Sequence, residues 1–411
     1  YRRELKKHAR ALAGRIRLAG PADGVLVVVD DDEDGAASGA ILRGMFERVN
    51  LPASRRLTFI NESFRTEGVL KYIQQRARSK EPVRQVFVLD RSYPLMPLGQ
   101  RVLASVASQC RVTFINNHDL PAELVEPRRH GVGLGEVADP RPSDLGVLLI
   151  SPQTLRSTVP ARQFPTAMIL KELAHLLFPD DRGLAQLNWQ AAAGSILDTA
   201  ELTANPWLLF YAQFNPDKIL EAGRALRTMT RAGGFLAAIH ALAGVSRPDQ
   251  LETNEAWGRF MAAHMHLEER VQVLVEKIIL ENRRKPLTVH FFTHDETASP
   301  TALAGNARSE LELYHWISER LTRHGDLAEQ PIIVGQMLHD AEGAAFLGVR
   351  IRSPRGVELM KAGLPERFES GGLPHTAVAK IPLADGAQPK QVFEDLVDRI
   401  WMKTTAPRRR G

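Results

Sequence analysis

The feature that most constrains the fold of this chain is a short apolar segment that ends abruptly in acidic residues. Gly24–Val29 is rich in valine, and five consecutive acids follow it at residues 30–34. Gly35 and an alanine-rich segment come next, which predicts a buried strand, a turn and a helix over residues 36–49. Because open α/β sheets bind their ligands at the carboxyl ends of their strands, the acids are predicted to lie at a binding edge.

Side chains alternate along an extended chain, so the sequence predicts two sets of acids that point to opposite sides. Asp30, Asp32 and Asp34 form one set, and Asp31 and Glu33 form the other. Three like charges on one side repel each other unless a cation lies between them. A loop whose acids are solvated by water remains the alternative, but a buried valine run leading into the acids favours the cation site.

A composition of 44% hydrophobic and 25% charged residues indicates a globular chain. Its length of 411 residues exceeds one ordinary domain, so more than one domain is expected. The single cysteine, Cys110, excludes an intrachain disulfide and predicts a cytoplasmic location. No signal-peptide pattern and no apolar run of roughly 20 residues is found, so no membrane partner is expected. The formal charge of +5 and the pI near 9.4 favour a polyanionic partner.

Four further apolar runs are predicted strands, and two of them end in residues that can bind a metal. Residues 86–89 are followed by Asp90, and residues 112–115 are followed by Asn116, Asn117 and His118. The other two runs cover residues 56–60 and 145–150. Helical stretches separate several of these runs, which predicts a largely parallel sheet with helices on both faces. Asp32, Asp34, Asp90 and His118 are therefore expected to meet at one edge.

The remaining elements predict a second domain beyond a long helix. Residues 1–18 form a basic amphipathic helix, and residues 166–240 have a helical pattern that contains Asp198, interpreted either as a solvated or capping acid or as a ligand. Residues 254–282 have helical spacing over a length that can bridge two domains. The second domain is predicted to contain strands at residues 287–292, 332–334 and 345–351 and helices at residues 311–321 and 391–401.

Carboxylates and an imidazole, with no cysteine, suit hard or borderline divalent cations such as Mn²⁺ or Mg²⁺. Several acids can hold two such ions, which activate a water and clamp the oxygens of a phosphoryl group during in-line displacement. No phosphate-binding Walker loop, dinucleotide fingerprint or serine nucleophile motif is present. The predicted ligands are Asp32, Asp34, Asp90, His118 and Asp198.

The order of these segments resembles the DHH phosphoesterase superfamily, and within it the RecJ-like exonucleases. The resemblance covers roughly residues 20 to 385. Residues 29–38 are similar to the first motif, which ends in Asp-Gly-x-x-Ser; Asp90 is similar to the second, residues 117–119 to the Asp-His-His motif, and residues 196–198 to the fourth. Residues 348–353 and 371–379 are similar to the Arg-Ser and Gly-Gly-x-His segments of the DHH-associated domain.

The resemblance implies functional roles for two groups of residues. The resemblance implies two bound ions of Mn²⁺ or Mg²⁺. Their implied ligands are Asp30, Asp32, Asp34, Asp90, His118 and Asp198. All of these except Asp30 are also the implied catalytic residues. The implied substrate contacts are Ser38, Asp119, Arg350, Arg352, Ser353, Gly371, Gly372 and His375. From the residues alone, the two glycines with Pro374 are also explained by a turn, and the two arginines by a solvated strand face.

The chain departs from the family pattern at the third motif. In one register His118 keeps the ligand histidine, Asn117 replaces an aspartate and Asp119 replaces the histidine expected at the scissile phosphate. In the other register, residues 116–118, the ligand histidine is lost. The last motif has an extra residue before His375, and Lys380 stands where glycine is usual. Activity is therefore expected to be reduced, lost or redirected to another phosphoester.

The sequence thus predicts an α/β protein with a parallel-sheet DHH domain at residues 1–245 and a linking helix at 246–284. A smaller α/β DHH-associated substrate-binding domain at 285–403 and a basic tail at 404–411 follow. The leading hypothesis is a metal-dependent phosphodiesterase or exonuclease that acts on single-stranded DNA or short RNA between the domains. The alternative is an inactive RecJ-like homologue that binds single strands or replication and repair proteins, and hydrolysis of a small phosphoester stays open.

Overall fold

The structure is a computed structural model of the chain. It describes residues 2–30, 32–61, 67–94, 97–118, 120, 124, 146–160, 163–181, 183–197, 208–211, 213–230, 235–245, 255–282, 287–292, 313–322, 330–339, 345–353, 370–373, 376–384 and 386–405. The chain divides into two compact units, residues 1–230 with 234–259 and residues 231–233 with 260–411. The domain limits expected near residues 245 and 285 stay a prediction.

The first unit is built on a five-stranded parallel sheet with the strand order β2-β1-β3-β4-β5. The predicted parallel sheet is confirmed. Its strands are β1 (Gly24–Val29), β2 (Leu57–Ile60), β3 (Val83–Leu89), β4 (Arg111–Ile115) and β5 (Leu148–Ile150).

Helices cover both faces of this sheet, as the alternation of strands and helices predicts. They are α1 (Arg2–Arg17), α2 (Glu33–Val49), α3 (Leu51–Ser54), α4 (Gly68–Arg76), α5 (Pro97–Ala107), α6 (Thr166–Leu177), α7 (Leu184–Ser195), α8 (Leu208–Tyr211), α9 (Pro216–Met229) and α10 (Phe235–Gly244). α11 (Glu255–Asn282) is the long helix expected at residues 254–282, and its first five residues count with this unit.

Alternating side chains of the strands place the core on the two faces of the sheet. On one face, Val28 and Phe114 pack with Val102 of α5 and Ile73 of α4. On the other face, Phe46 of α2 contacts Phe87 of β3 edge to face, with 5.4 Å between ring centroids. Complete burial of such a side chain stabilises the fold by about 1.5–3 kcal/mol.

The second unit contains a mixed five-stranded sheet with the order β6-β7-β8-β10-β9. β6 and β7 pair in parallel, and the other neighbours are antiparallel. Its strands are β6 (Thr288–Phe292), β7 (Ile332–His339), β8 (Ala345–Arg352), β9 (Ser370–Leu373) and β10 (Thr376–Pro382), and its helices are α12 (Leu313–Thr322) and α13 (Pro389–Thr405).

Both faces of the second sheet are covered, which completes the α/β fold. Val271 of α11 and Ile317 of α12 pack with Val334 on one face. Phe393 of α13 packs with Val349 on the other face. In the described part of the chain, no helix combines the length and the apolar character that a bilayer crossing requires.

Candidate functional site

The carboxyl ends of four neighbouring strands lie side by side in the first unit. The last residues of β1, β3, β4 and β5 pair in sequence, Val29 with Leu89, Leu89 with Ile115, and Ile115 with Ile150. Neighbouring strands are about 4.8 Å apart. The residues that directly follow these strands therefore form a row along one edge of the sheet. They are Asp30, Asp90, Asn116 and Ser151.

Asp32 ends the extended part of the acidic segment because it is the N-cap of α2. Its Oδ1 accepts a hydrogen bond from the backbone N–H of Gly35 at 2.8 Å. A Cβ on Gly35 would lie 2.5 Å from the carbonyl oxygen of Asp30, so only glycine allows this turn. The helix begins at Glu33, three residues before the expected start. The alternation expected along the acids therefore stops at Asp32, and Asp34 is oriented by the helix.

Asp34 binds the first turn of α6. Its Oδ2 accepts a hydrogen bond from the backbone N–H of Thr166 at 2.7 Å, and its Oδ1 accepts one from Ala167 at 2.8 Å. The first N–H groups of a helix have no partner within the helix and carry a partial positive charge. These contacts stabilise the charge of a carboxylate that is only 1% exposed.

Asp90 contacts the same helix start as Asp34. Its Oδ1 accepts a hydrogen bond from Oγ1 of Thr166 at 3.0 Å, and its backbone N–H donates to Ile115 at 3.0 Å. The residue is 4% exposed and has a φ of 59°, in the left-handed region. Aspartate tolerates this region better than most residues, and such strained positions concentrate at functional sites.

Arg91 lies between the ends of β1 and β2. Its Nη1 is 3.5 Å from Oδ1 of Asp30, its Nε donates to the carbonyl of Val29 at 3.1 Å, and its Nη2 donates to Oδ1 of Asn61. The guanidinium is therefore held by three groups from the carboxyl ends of two strands. It brings a fixed positive charge to the acidic edge.

A second guanidinium binds the acidic segment from α9. Arg227 forms a bidentate ion pair with Glu33, whose side chain is 3% exposed. Its Nη2 also donates to the carbonyl of Leu197 at 3.2 Å. Arg227 thus connects the first acidic motif to the segment that leads into Asp198.

The residues after β4 are mostly buried. The Nδ2 group of Asn116 donates to the carbonyl of Arg91 at 3.1 Å, and its backbone N–H donates to Ile150 at 3.1 Å. Asn117 is 8% exposed and His118 is half-buried. Asn116 therefore joins the ends of three strands, which is a structural role.

The described acids and histidines do not by themselves fit a metal centre. Within the described ranges, no three or more His, Cys, Asp or Glu residues lie together as metal ligands would. Asp30 contacts Arg91, Asp32 accepts from the backbone of Gly35, and Asp34 accepts from the start of α6. Asp119 and Asp198 lie outside the described residues. The proposed ligand set therefore stays a prediction.

The implied substrate residues lie in both units. Ser38 is fully buried in α2, and its Oγ has no hydrogen-bond partner among the described residues. In the second unit, Arg350 is 8% exposed in β8, so the solvated strand face does not describe it. Arg352 is half-buried, Ser353 is 9% exposed, and His375 lies outside the described residues.

Gly371 and Gly372 lie in β9 rather than in a turn. They pair with Val378 and Ala377 of β10, and Val378 in turn pairs with Arg350. Arg350 and Gly371 therefore flank one residue in a single row of the sheet, about 10 Å apart. Lys380 lies over the ring of Phe346, with 5.3 Å from Nζ to the centroid.

Sequence reasoning missed three residues of the edge: Thr166, Arg91 and Arg227. Thr166 follows Pro165 at the start of α6, and a proline before an apolar helical pattern is a signal for such a start. Arg91 directly follows the predicted ligand Asp90, so its position near the edge could have been predicted from the sequence. Nothing in the sequence near Arg227 indicates its contact with Glu33.

A parallel sheet whose carboxyl edge is lined by acids places the first unit among α/β proteins that bind ligands at that edge. No protein-family model matches the sequence, and no curated protein has a significantly similar sequence. Solved structures do match. RecJ from Thermus thermophilus in complex with Mn²⁺ has a TM-score of 0.58 at 16% identity, covering 97% of this chain and 54% of RecJ.

Two further structures are similar over nearly the whole chain. A DHH domain from a protein described as a member of a family of ribosomal proteins has a TM-score of 0.61 at 15% identity, covering 96% of this chain and 91% of that domain. CDC45 from Entamoeba histolytica has a TM-score of 0.50 at 10% identity, with 97% and 98% covered. A RecJ structure with Mg²⁺ also matches.

The chain therefore has the fold of the DHH, RecJ-like proteins, as its motifs predict. This chain spans about half the length of RecJ. At identities this low, the similarity shows a shared fold only.

Proposed function

We propose that this chain is a RecJ-like protein that binds single-stranded nucleic acid and does not hydrolyse it. The observation that carries this proposal is the pair of hydrogen bonds from Thr166 and Ala167 to the two oxygens of Asp34. The start of α6 supplies the positive potential that a bound cation would otherwise supply. A central acid of the first motif then has a structural role.

The contacts of the neighbouring acids support the same conclusion. Asp30 pairs with Arg91 and Glu33 pairs with Arg227, so two guanidinium groups balance two of the acids. A fixed guanidinium repels a divalent ion nearby. The altered third motif, in which Asn117 and Asp119 replace family residues, agrees with a weakened catalytic centre.

The partner class follows from charge and fold. The formal charge of +5 favours a polyanion. Solved neighbours with this fold include RecJ and CDC45. We include replication or repair proteins as further partners. In the second unit, the residues proposed to contact the single-stranded nucleic acid are Arg350, Arg352, Ser353, Gly371, Gly372 and His375.

The test is incubation of the purified chain with a labelled single strand in the presence of Mn²⁺. The expected result is binding that weakens steeply as salt rises, with no shortened product. Asp90→Ala should bind the strand as the unchanged chain does. Release of mononucleotides that requires Mn²⁺ and disappears in Asp90→Ala, but persists in the exposed control Asp217→Ala, would overturn the proposal.

The second candidate is a phosphodiesterase or exonuclease that uses Mn²⁺ or Mg²⁺, with two ions. The observation in its favour is that Asp34 and Asp90 both contact Thr166, so two predicted ligands lie together at the expected edge. Its ligands would be Asp30, Asp32, Asp34, Asp90, His118 and Asp198, and Ser38 and Asp119 would contact the substrate.

Metal titration separates the two candidates without a nuclease assay. If this edge holds ions, Mn²⁺ raises the melting temperature by mass action, and Asp34→Asn and Asp90→Asn each abolish the rise. If the chain only binds nucleic acid, its melting temperature should not rise with Mn²⁺ at concentrations that would saturate a metal-dependent phosphodiesterase. Asp217→Asn is the matched control, because it removes one exposed carboxylate in the first turn of α9, at the opposite end of that helix from Arg227.

A further inference from the structure

The exposed side of α1 carries an unusual concentration of positive charge. Its sequence contains seven basic residues and one acid, Glu4, which gives the helix a formal charge of +6. The whole chain has a formal charge of +5. The other residues together therefore carry −1, so this one helix has a higher net positive charge than the whole chain.

The basic residues lie on one face of that helix. At 100° per residue, the exposed ones fall within an arc of about 140°. The opposite face is buried and apolar, with Leu5, Leu12 and Ile16 each at most 3% exposed. The basic face is defined by its exposed residues, which are Arg2, Arg3, Lys6, Lys7, Arg10 and Arg17.

The helix is anchored to the first unit by its other side. α1 packs against α6, whose first turn binds Asp34. Nη2 of Arg15 donates to the carbonyl of Gly146 at 2.8 Å, and Nδ2 of Asn50 donates to the carbonyl of Ile16 at 3.1 Å. The basic face therefore projects from a rigid support.

Stability does not explain this arrangement. Arg2 and Arg3 lie in the first turn, where the helix dipole disfavours cations. Arg3 and Lys7 are like charges four residues apart, and each such pair costs about 0.2–0.5 kcal/mol. A negatively charged ligand would remove both costs.

A basic amphipathic helix is also typical of proteins that bind membrane surfaces, but such helices insert their apolar face into the lipid. Here Leu12 and Ile16 are fully buried within the protein, at 0% exposure. The partner must therefore be recognised through charge alone. A phosphate backbone has this chemistry, because its regular charges are neutralised by Lys and Arg with release of counterions.

We propose that the basic face of α1 binds the phosphate backbone of a nucleic acid strand. This inference rests on the proposed function and adds a binding surface in the first unit to the contacts proposed in the second. Basic residues four apart are about 6 Å apart along the helix, and the 16 residues span about 24 Å. The face can thus contact several consecutive phosphates.

The test compares two triple variants of equal charge for binding to a labelled oligo-thymidylate strand. The first is Arg3→Gln, Lys7→Gln and Arg10→Gln on the basic face. The control is Lys71→Gln, Arg78→Gln and Arg101→Gln, three exposed residues of the same unit. The face variant should bind roughly 10- to 100-fold more weakly and lower the salt slope by about 2, since each lost phosphate contact contributes about 0.7. The control variant should bind like the unchanged chain.

The outcomes separate this inference from the function on which it rests. If the unchanged chain does not bind the strand, the proposed function fails, and this inference fails with it. If the unchanged chain binds and the face variant matches it in affinity and salt slope, this inference alone is overturned. Preferential binding to vesicles of phosphatidylserine, lost in the face variant, would also overturn it in favour of a lipid surface.

Discussion

Asp34 and Asp90 both accept hydrogen bonds from Thr166, the first through the backbone N–H and the second through Oγ1. One residue at the start of α6 therefore holds together two acids that come from different strands and turns. Thr166 is fully buried. The arrangement predicts a distinct role for its hydroxyl group.

Replacing Thr166 with valine should lower the free energy of unfolding by about 1–3 kcal/mol, because the buried carboxylate of Asp90 loses a donor. Thr166→Ser keeps the hydroxyl and should cost less. Urea denaturation of both variants measures the difference. A loss in Thr166→Val no larger than that in Thr166→Ser, which lacks only the methyl group, would show that the hydrogen bond to Asp90 contributes little.

The ion pair of Glu33 and Arg227 predicts strong coupling between α2 and α9. Arg227→Met leaves the buried carboxylate of Glu33 without its guanidinium and should cost about 3–5 kcal/mol. Adding Glu33→Gln should recover part of the loss, because the stranded charge is then removed. A double-mutant cycle by urea denaturation gives the coupling energy. Additive losses would contradict the direct interaction.

Much of the fold could be predicted because the relevant signals are local. The valine runs of β1 and β3, followed by Asp30 and Asp90, predict buried strands whose ends meet at one edge, and the parallel sheet confirms this. α11 was predicted within one residue because its apolar spacing persists over many turns. β9 was not recognised, since its two glycines predict a turn as readily as a strand. β10 was not recognised either, although it contains no glycine.

The contacts of the site could not be predicted to the same depth. Alternation along an extended chain fails at Asp32, because its side chain caps α2 and the helix changes the direction of Asp34. The partner of Asp34 is the start of a helix far along the chain, and that pairing depends on packing. Arg227 reaches Glu33 for the same reason.

Two glycine substitutions separate close packing from helix propensity. Gly35→Ala should destabilise the first unit by about 1–3 kcal/mol, because the new Cβ would lie 2.5 Å from the carbonyl oxygen of Asp30. Gly14→Ala in α1 meets no atom within 4 Å and should stabilise the helix by up to about 1 kcal/mol. Thermal unfolding measures both changes, and a neutral Gly35→Ala would show that the turn yields.

Acid should destabilise the first unit through His8. Desolvation by burial lowers the pKa of His8 below its usual value of 6.5, and Lys7 adds to this effect, while the carbonyl of Glu4 opposes it. The folded state thus favours the neutral imidazole. Stability from this group is present above about pH 6.5 and is lost as pH falls, because the unfolded chain binds a proton more readily.

Urea denaturation between about pH 7.5 and 5 measures this dependence. His8→Gln should flatten the decline without removing it, because burial lowers the pKa of His240 as well, with Arg43 acting in the same direction. Identical pH profiles for His8→Gln and the unchanged chain would exclude a contribution from His8.

Cys110 should be inert in the folded protein. Burial raises the pKa of its thiol to about 11, with the positive charge of Arg84 acting in the opposite direction. The thiol is 6% exposed and donates to the carbonyl of Val83 at 3.3 Å. At neutral pH only about one thiol in 10,000 is then ionised, and the thiolate is the reactive form. Labelling with a disulfide reagent should therefore be slow in buffer, fast in urea, and accelerated by Thr166→Val in proportion to its loss of stability. A native rate equal to that of free cysteine would contradict the buried position of Cys110 just before β4.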